Sequence, residues 1–201
     1  SGHISFIDAL FRATSSVCVT GLVVQDTATY FTTFGLIVNM VLFQWGGLGI
    51  MTFSTMILLV AGRRISFKDR ILIQEGFHHA SPRDFKSLIK GIFYYTLFIE
   101  LFGAFFLFLY WQKKLSLTKG LFYSVFHSIS AFCNAGFALF SDNFESFRDS
   151  IWMNAVILFL VILGGMGFLV LQEIRDVFSS FKKKKKVQVS LHAKLVLFLT
   201  L

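Results

Sequence analysis

Two stretches of this 201-residue chain, 11–23 (FRATSSVCVTGLV) and 126–138 (FHSISAFCNAGFA), repeat one set of residues at a constant separation of 115. Phe11 matches Phe126, Ser15 matches Ser130, Cys18 matches Cys133 and Gly21 matches Gly136, with the large apolar Leu22 and Phe137 next in line. Neither stretch pairs a nucleophile with a base. What both offer is main-chain oxygen. A lone glycine accepts positive φ without steric cost, so a turn built on it can aim carbonyls to one side, where they replace the water shell of a cation. The residues placed to do this are Val19, Thr20, Gly21 and Leu22, after Cys18, and Asn134, Ala135, Gly136 and Phe137, after Cys133. The two cysteines read as equivalent buried small residues at the base of the turns rather than as a disulfide or a metal pair.

Such turns need elements to hold them. A segment suited to a short helix precedes each, 4–16 and 117–131. A helix whose carboxyl end faces the bilayer centre adds partial negative charge there, and Asp8 suits the opposite end of the first one. A second glycine block follows each turn: GGLGI at 46–50 and GGMGF at 164–168, now 118 apart, so about three residues entered the connecting loop. Gly46, Gly47, Gly49, Gly164, Gly165 and Gly167 are read either as hinges or as sites of close helix packing. Each unit is then an outer helix, a re-entrant loop and an inner helix, the first unit lacking its outer helix in this chain.

Composition says what surrounds these units. Apolar residues make up 55% and charged residues 15%, with 27 Phe and a mean hydropathy of +0.70. That charge is too sparse to coat a water-soluble globule, which carries about 25%. The fold class is therefore all-α integral membrane, which excludes a disordered chain, a disulfide-rich secreted module and most soluble enzyme folds. The net charge of +8 belongs to cytoplasmic loops rather than to nucleic-acid binding. Residues 63–90 hold seven basic and three acidic side chains, and 182–194 hold six basic and none acidic. Segment 120–141 is uncharged, but a full crossing there would put the two basic segments on opposite sides of the membrane. A dip and return keeps both inside. That segment also carries Ser124, His127, Ser128, Ser130 and Asn134, a costly set for a lipid-facing helix.

The division expected is a first unit over 1–62 (short helix 4–16, turn 18–22, inner helix about 32–62) and a cytoplasmic basic loop over 63–90. A second unit follows over 91–179 (outer helix 91–112, short helix 117–131, turn 133–137, inner helix 150–179). A Lys-rich cytoplasmic linker over 180–194 and the start of a third unit at 195–201 complete it, so the chain reads as a fragment of a larger protein. Glu100, in mid-span, is expected to be a structural carboxylate bonded inside the bundle, with a functional role as the alternative. His78 and His79 read as solvated and His127 as a buried partner for a neighbour. Lys182–Lys186 marks the cytoplasmic side and could also meet anionic lipid or a cytoplasmic subunit. Asp142, Glu145 and Asp149 lie on the outer side, where they either gather cations or are simply solvated.

TSSVCVTGL followed by VVQDT, repeated as SISAFCNAGF followed by SDN, resembles the Trk/Ktr/HKT superfamily of potassium transporters, nearest to its bacterial Ktr/Trk membrane subunits. The resemblance covers nearly the whole chain. It implies a potassium-channel-like, four-unit pore in one polypeptide, of which this chain is a fragment, with one filter glycine per unit, here Gly21 and Gly136. It also implies potassium, with sodium as a second ion of the same pore, moving down its gradient across the bacterial cytoplasmic membrane, with filter mouths outside and basic loops inside. No enzyme activity is implied, and no cofactor bound directly. The partners implied are membrane lipid, a second copy in a homodimer, and a cytoplasmic RCK-type regulatory subunit that holds nucleotide; nucleic acid is not among them. Sodium-coupled symport, less selective conduction by the same pore and a membrane scaffold remain alternatives. Parallel rather than inverted repeats favour the channel-like design.

Overall fold

The computed structural model describes residues 4–49 and 85–166 and the single positions 170, 174, 177, 194 and 198. Among them there are helices and no strands. The order is α1 (Phe6–Val17), α2 (Thr33–Leu48), α3 (Phe85–Trp111), α4 (Leu117–Phe132), a 3₁₀ turn (Glu145–Phe147) and α5 (Ile151–Gly165). Three starts are set by side-chain caps: Ser5 accepts from Asp8 N–H at 3.1 Å, Thr32 from Gly35 N–H at 3.3 Å and Ser150 from Met153 N–H at 3.4 Å. Only α3, over Lys90–Trp111, is both long and apolar enough among the described residues to cross a membrane alone; α2 and α5 are shorter apolar helices. The expected inner helix to residue 62 is interrupted at Gly49, whose φ of +78° is not helical. Residues 50–84, Gly167 and the Lys-rich linker lie outside the described residues, apart from Lys194.

The pairs α1–α2 and α4–α5 have the same design, and α3 packs most extensively on α4. Both short helices end in one closure. Val19 N–H bonds Ser16 O at 3.2 Å and Thr20 N–H bonds Ser15 O at 2.9 Å; Asn134 N–H bonds Ala131 O at 3.0 Å and Ala135 N–H bonds Ser130 O at 2.8 Å. This is the Schellman pattern, whose turning residue is usually glycine. Here Val19 and Asn134 occupy it, each with φ of +56°. A β-branched residue in the left-handed region is strained by about 1–3 kcal/mol and persists only where its surroundings hold it.

The glycine blocks bring the inner helices against these closures. A Cβ on Gly46 would overlap the carbonyl oxygen of Val17, and one on Gly164 would overlap that of Phe132. Gly47 lies close to Cys133, with a Cβ position 2.7 Å from its sulfur. Gly46, Gly47 and Gly164 are thus sites of close approach. Gly165 meets only the Asn134 amide, 3.9 Å from its Cβ position, and Gly49 meets nothing within 4 Å.

The buried polar core is centred on Arg12, only 5% exposed. Its Nε donates to Asn39 Oδ1 at 3.3 Å and its Nη2 to Thr27 Oγ1 at 3.0 Å, while Nη1 has no partner. Ser16 Oγ donates to the same Asn39 oxygen at 3.1 Å. The guanidinium lies 4.7 Å from the Phe31 ring centroid and 4.3 Å from that of Phe137. No carboxylate pairs with it among the described residues, so aromatic faces and neutral oxygens stabilise the charge.

Gly46→Ala and Gly164→Ala should each destabilise the folded protein by about 1–3 kcal/mol through overpacking. Gly91→Ala, at an uncrowded position of α3, should be neutral or stabilising. Thermal unfolding in one detergent compares all three. Asn39→Ala strips Arg12 Nε and Ser16 Oγ of a buried acceptor and should cost roughly 2–4 kcal/mol by the same measurement. Full retention of stability would show that the Asn39 bonds do not hold α1 to α2.

Candidate cation site

The two glycine turns, remote in sequence, lie against one another. A Cβ on Gly21 would sit 2.7 Å from Ala135 O and 3.4 Å from Gly136 Cα, and one on Gly136 would sit 3.6 Å from Gly21 Cα. Their backbones match, with φ of +73° at Gly21 and +72° at Gly136. No side chain of either residue stands between the turns, so main chain meets main chain.

Each turn is tied back by one serine of its short helix. Ser15 Oγ donates to Leu22 O at 2.7 Å. Ser130 Oγ donates to Phe137 O at 2.8 Å and accepts Phe137 N–H at 3.1 Å. Thr20 Oγ1 adds bonds to Ser15, 3.2 Å to its carbonyl and 2.9 Å to its hydroxyl. By contrast, the carbonyls of Val19, Thr20, Gly21, Asn134, Ala135 and Gly136 accept no hydrogen bond from any described residue. Bare carbonyls at adjacent turns are donor-poor, oxygen-rich surface, suited to a cation that has shed water and unsuited to an anion.

The walls behind the turns differ between units. His127 stands where the first unit has Arg12. Its Nδ1 lies 2.7 Å from Tyr123 O and its Nε2 accepts Leu139 N–H at 3.0 Å. A ring that donates at Nδ1 and accepts at Nε2 is the neutral tautomer, so the second unit lacks the fixed charge of the first. Glu100 is buried, as a structural carboxylate would be, with the Gln44 side chain as its partner, and its Oε1 has none among the described residues. Gln44 Oε1 in turn faces Cys133 Sγ at 3.6 Å. The cysteines are both free, but the expectation that both are buried fails at Cys18, which is exposed while Cys133 is buried. Cys133 has α2 of the other unit packed over it through Gly47; no described element covers Cys18 in the same way.

Beyond the turns, Ser141 Oγ donates to Asp26 Oδ2 at 2.6 Å, joining two positions that are also 115 apart. Asp26 further accepts from Ala28 N–H at 3.0 Å and Thr29 Oγ1 at 2.8 Å. Asp142 caps Ser146 through both its backbone N–H and its hydroxyl. Sequence reading singled out neither Arg12 nor Asp26. The available signal was their repeat partners: a basic side chain at 12 faces His127, and an acid at 26 faces Ser141.

Residues 1–200 match the TrkH family, described as cation transport protein. The chain is 44% identical over 198 residues to Ktr system potassium uptake protein B of Bacillus subtilis (strain 168), covering 98% of this chain and 43% of that protein. It is 41% identical over 197 residues to the Vibrio alginolyticus protein of the same name, covering 98% of this chain and 42% of that one. It is 36% identical over 195 residues to the potassium/sodium uptake protein NtpJ of Enterococcus hirae, covering 97% of this chain and 42% of that protein. The chain therefore spans less than half the length of these relatives. On the family match and these identities, with paired backbone turns at the centre of the fold, the chain belongs to the TrkH family of cation transport proteins.

Proposed function

We propose that the protein containing this chain takes up potassium across the cytoplasmic membrane through a pore lined by main-chain oxygen. Residues 18–22 and 133–137 supply two of its filter strands. The contact of Gly21 with the Ala135–Gly136 backbone carries this reading, because it brings together two turns whose carbonyls accept no hydrogen bond from the described residues. The units are then helix–pore loop–helix repeats: α1 and α4 as pore helices, α2 and α5 as inner helices and α3 as the outer helix of the second unit. The names of the relatives support potassium as the ion, and one of them adds sodium.

Each step follows from this chain's own groups. An arriving ion meets the acidic outer loops, where Asp26, Asp142, Glu145 and Asp149 raise the local cation concentration. It exchanges water for carbonyls of Val19 to Gly21 and Asn134 to Gly136, bound tightly enough to enter and loosely enough to leave, while the carbonyls of Leu22 and Phe137, expected to join them, are held by Ser15 and Ser130. The membrane potential supplies about 2.3 kcal/mol per charge per 100 mV towards entry. Ser15 and Ser130 fix the turns so that the oxygens need not reorganise. The basic segment 63–90, whose last six residues begin α3, and the Lys-rich segment 180–194 face the cytoplasm, where a nucleotide-holding regulatory subunit docks, and two copies form a homodimer. The word "system" in the relatives' names supports an assembly of several components. No cofactor is bound by this subunit itself.

Gly21→Ser in the full-length protein should lower the preference for potassium over sodium while leaving membrane insertion intact. Gly136→Ser should do so less, since its added Cβ meets nothing closer than 3.6 Å whereas that of Gly21 presses on Ala135 O. Competitive rubidium and sodium fluxes in proteoliposomes read both variants. Unchanged selectivity in the Gly21 variant would remove the filter assignment.

The carboxyl of Asp26 is held below its ordinary range, chiefly by the Ser141 hydroxyl and then by Ala28 N–H. A folded value below the unfolded one means that the tie contributes above the unfolded pKa and is lost as pH falls through the folded one. Ser141→Ala should therefore raise the Asp26 midpoint, measured by carboxyl carbon-13 shifts. A midpoint that stays where it was would show that Ser141 does not stabilise the charged form.

A further inference from the structure

One charge beside the two turns is fixed and uncompensated. The Arg12 guanidinium carries its charge at any working pH, yet the residue is buried and no carboxylate pairs with it among the described residues. The bonds it makes, to Asn39 Oδ1 and Thr27 Oγ1, go to neutral oxygens, and its Nη1 makes none. These bonds hold the charge in place without cancelling it.

The charge stands next to the second turn. It lies 4.3 Å from the ring centroid of Phe137, the residue after Gly136. That ring is itself fixed: Phe43 of α2 stacks on it at 5.8 Å and 24°, and Ser130 bonds both the N–H and the carbonyl of Phe137. One ring therefore separates a full positive charge from a turn whose carbonyls accept no bond from the described residues. The first turn begins close to the same charge. Ser16, one helical turn after Arg12, shares the Asn39 oxygen with it, and the Ser16 carbonyl accepts Val19 N–H.

Packing does not call for a charge at this place. His127 fills the equivalent place of the second unit as a neutral ring, buried and bonded to Leu139 N–H. A buried charge without a counter-charge is costly, and a neutral side chain of similar size is the less costly filling. Holding α1 to α2 accounts for the bonds of Arg12 and not for its charge.

We propose that Arg12 sets the affinity of the site, its charge weakening the hold of the two turns on a monovalent cation. The proposal rests on the carbonyl-lined reading above and deepens it. Oxygens able to replace an ion's water also hold the ion, and conduction requires that they let it go. A positive charge behind them raises the ion's energy at the site and favours its release. A unit charge roughly 10 Å away, at an effective dielectric of about 20, shifts affinity by about tenfold. Arg12 does this through space and touches no ion.

The test measures rubidium uptake by the full-length protein in proteoliposomes at fixed potential, over a range of rubidium concentrations. Arg12→Gln removes the charge and keeps polar atoms for Asn39 and Thr27, so the half-saturating concentration should fall by about tenfold. Arg12→Lys keeps the charge and should stay close to the unchanged protein. Thr27→Asp reaches the same end with Arg12 left in place, by setting a carboxylate where the Thr27 hydroxyl accepts Nη2; half-saturation should fall again. Thr27→Val removes that bond without adding charge and should not lower it. Thermal unfolding in one detergent verifies the fold of each variant, and either Arg12→Gln or Thr27→Asp decides if the other does not fold. A merely structural role would lower the maximal rate with half-saturation unmoved or raised. That result in a folded Arg12→Gln or Thr27→Asp protein overturns the proposal, as does Arg12→Lys behaving like Arg12→Gln. Selectivity lost in Gly21→Ser with half-saturation unmoved in Arg12→Gln rejects the role of the charge alone. A fall in half-saturation with selectivity unchanged in Gly21→Ser rejects the filter assignment alone.

Discussion

Backbone that stops being helical inside an apolar bundle must find partners for its polar groups, and every feature of this fold answers to that demand. α1 and α4 end where the two turns begin. Their last carbonyls are recovered by the Schellman bonds to residues 19, 20, 134 and 135. The remaining ones, at Val17 and Phe132, project where Gly46 and Gly164 leave out a side chain. The oxygens left over are those of the turns themselves. The same closures that satisfy the helix ends thus decide which carbonyls accept no bond from the described residues.

Closure of this kind strains the chain at Val19, since a β-branched residue is held at positive φ. The ties that hold it are local: Ser15 to Leu22 and Thr20 to Ser15. The cross-unit ties are of another kind. Phe137 reaches into the first unit, Gly47 admits Cys133, and Arg12 lies near a ring from each unit. Local bonds shape each turn, and apolar and cation–aromatic contacts set one turn against the other.

Much of this was legible in the residues because it follows from repetition. The offsets of 115 and 118 identify the paired turns, and the short helices fall within two residues of their expected limits. Gly21 and Gly136 have the positive φ that a lone glycine in such a turn invites. Val19 does not announce itself, because its side chain argues against the conformation it adopts; Asn134 at least tolerates it. Nothing local marks Arg12 for burial, because its burial depends on Asn39, Thr27 and two rings from elsewhere in the chain. The glycine blocks allow a hinge or close packing in sequence, which does not show that Gly46 and Gly164 lie against the carbonyls of Val17 and Phe132. The differing exposure of Cys18 and Cys133 arises from neighbours, which no comparison of the two stretches alone contains.

The bond between Asp26 and Ser141 joins a position to its own duplicate. Equivalent positions of the two units, 115 residues apart, meet here. Had both remained aspartate, two anions would repel there; had both been serine, the anchor for Ala28 and Thr29 would be gone. The difference in residue type at the two positions makes one a donor and the other an acceptor, so departure from exact repetition adds a bond between the units.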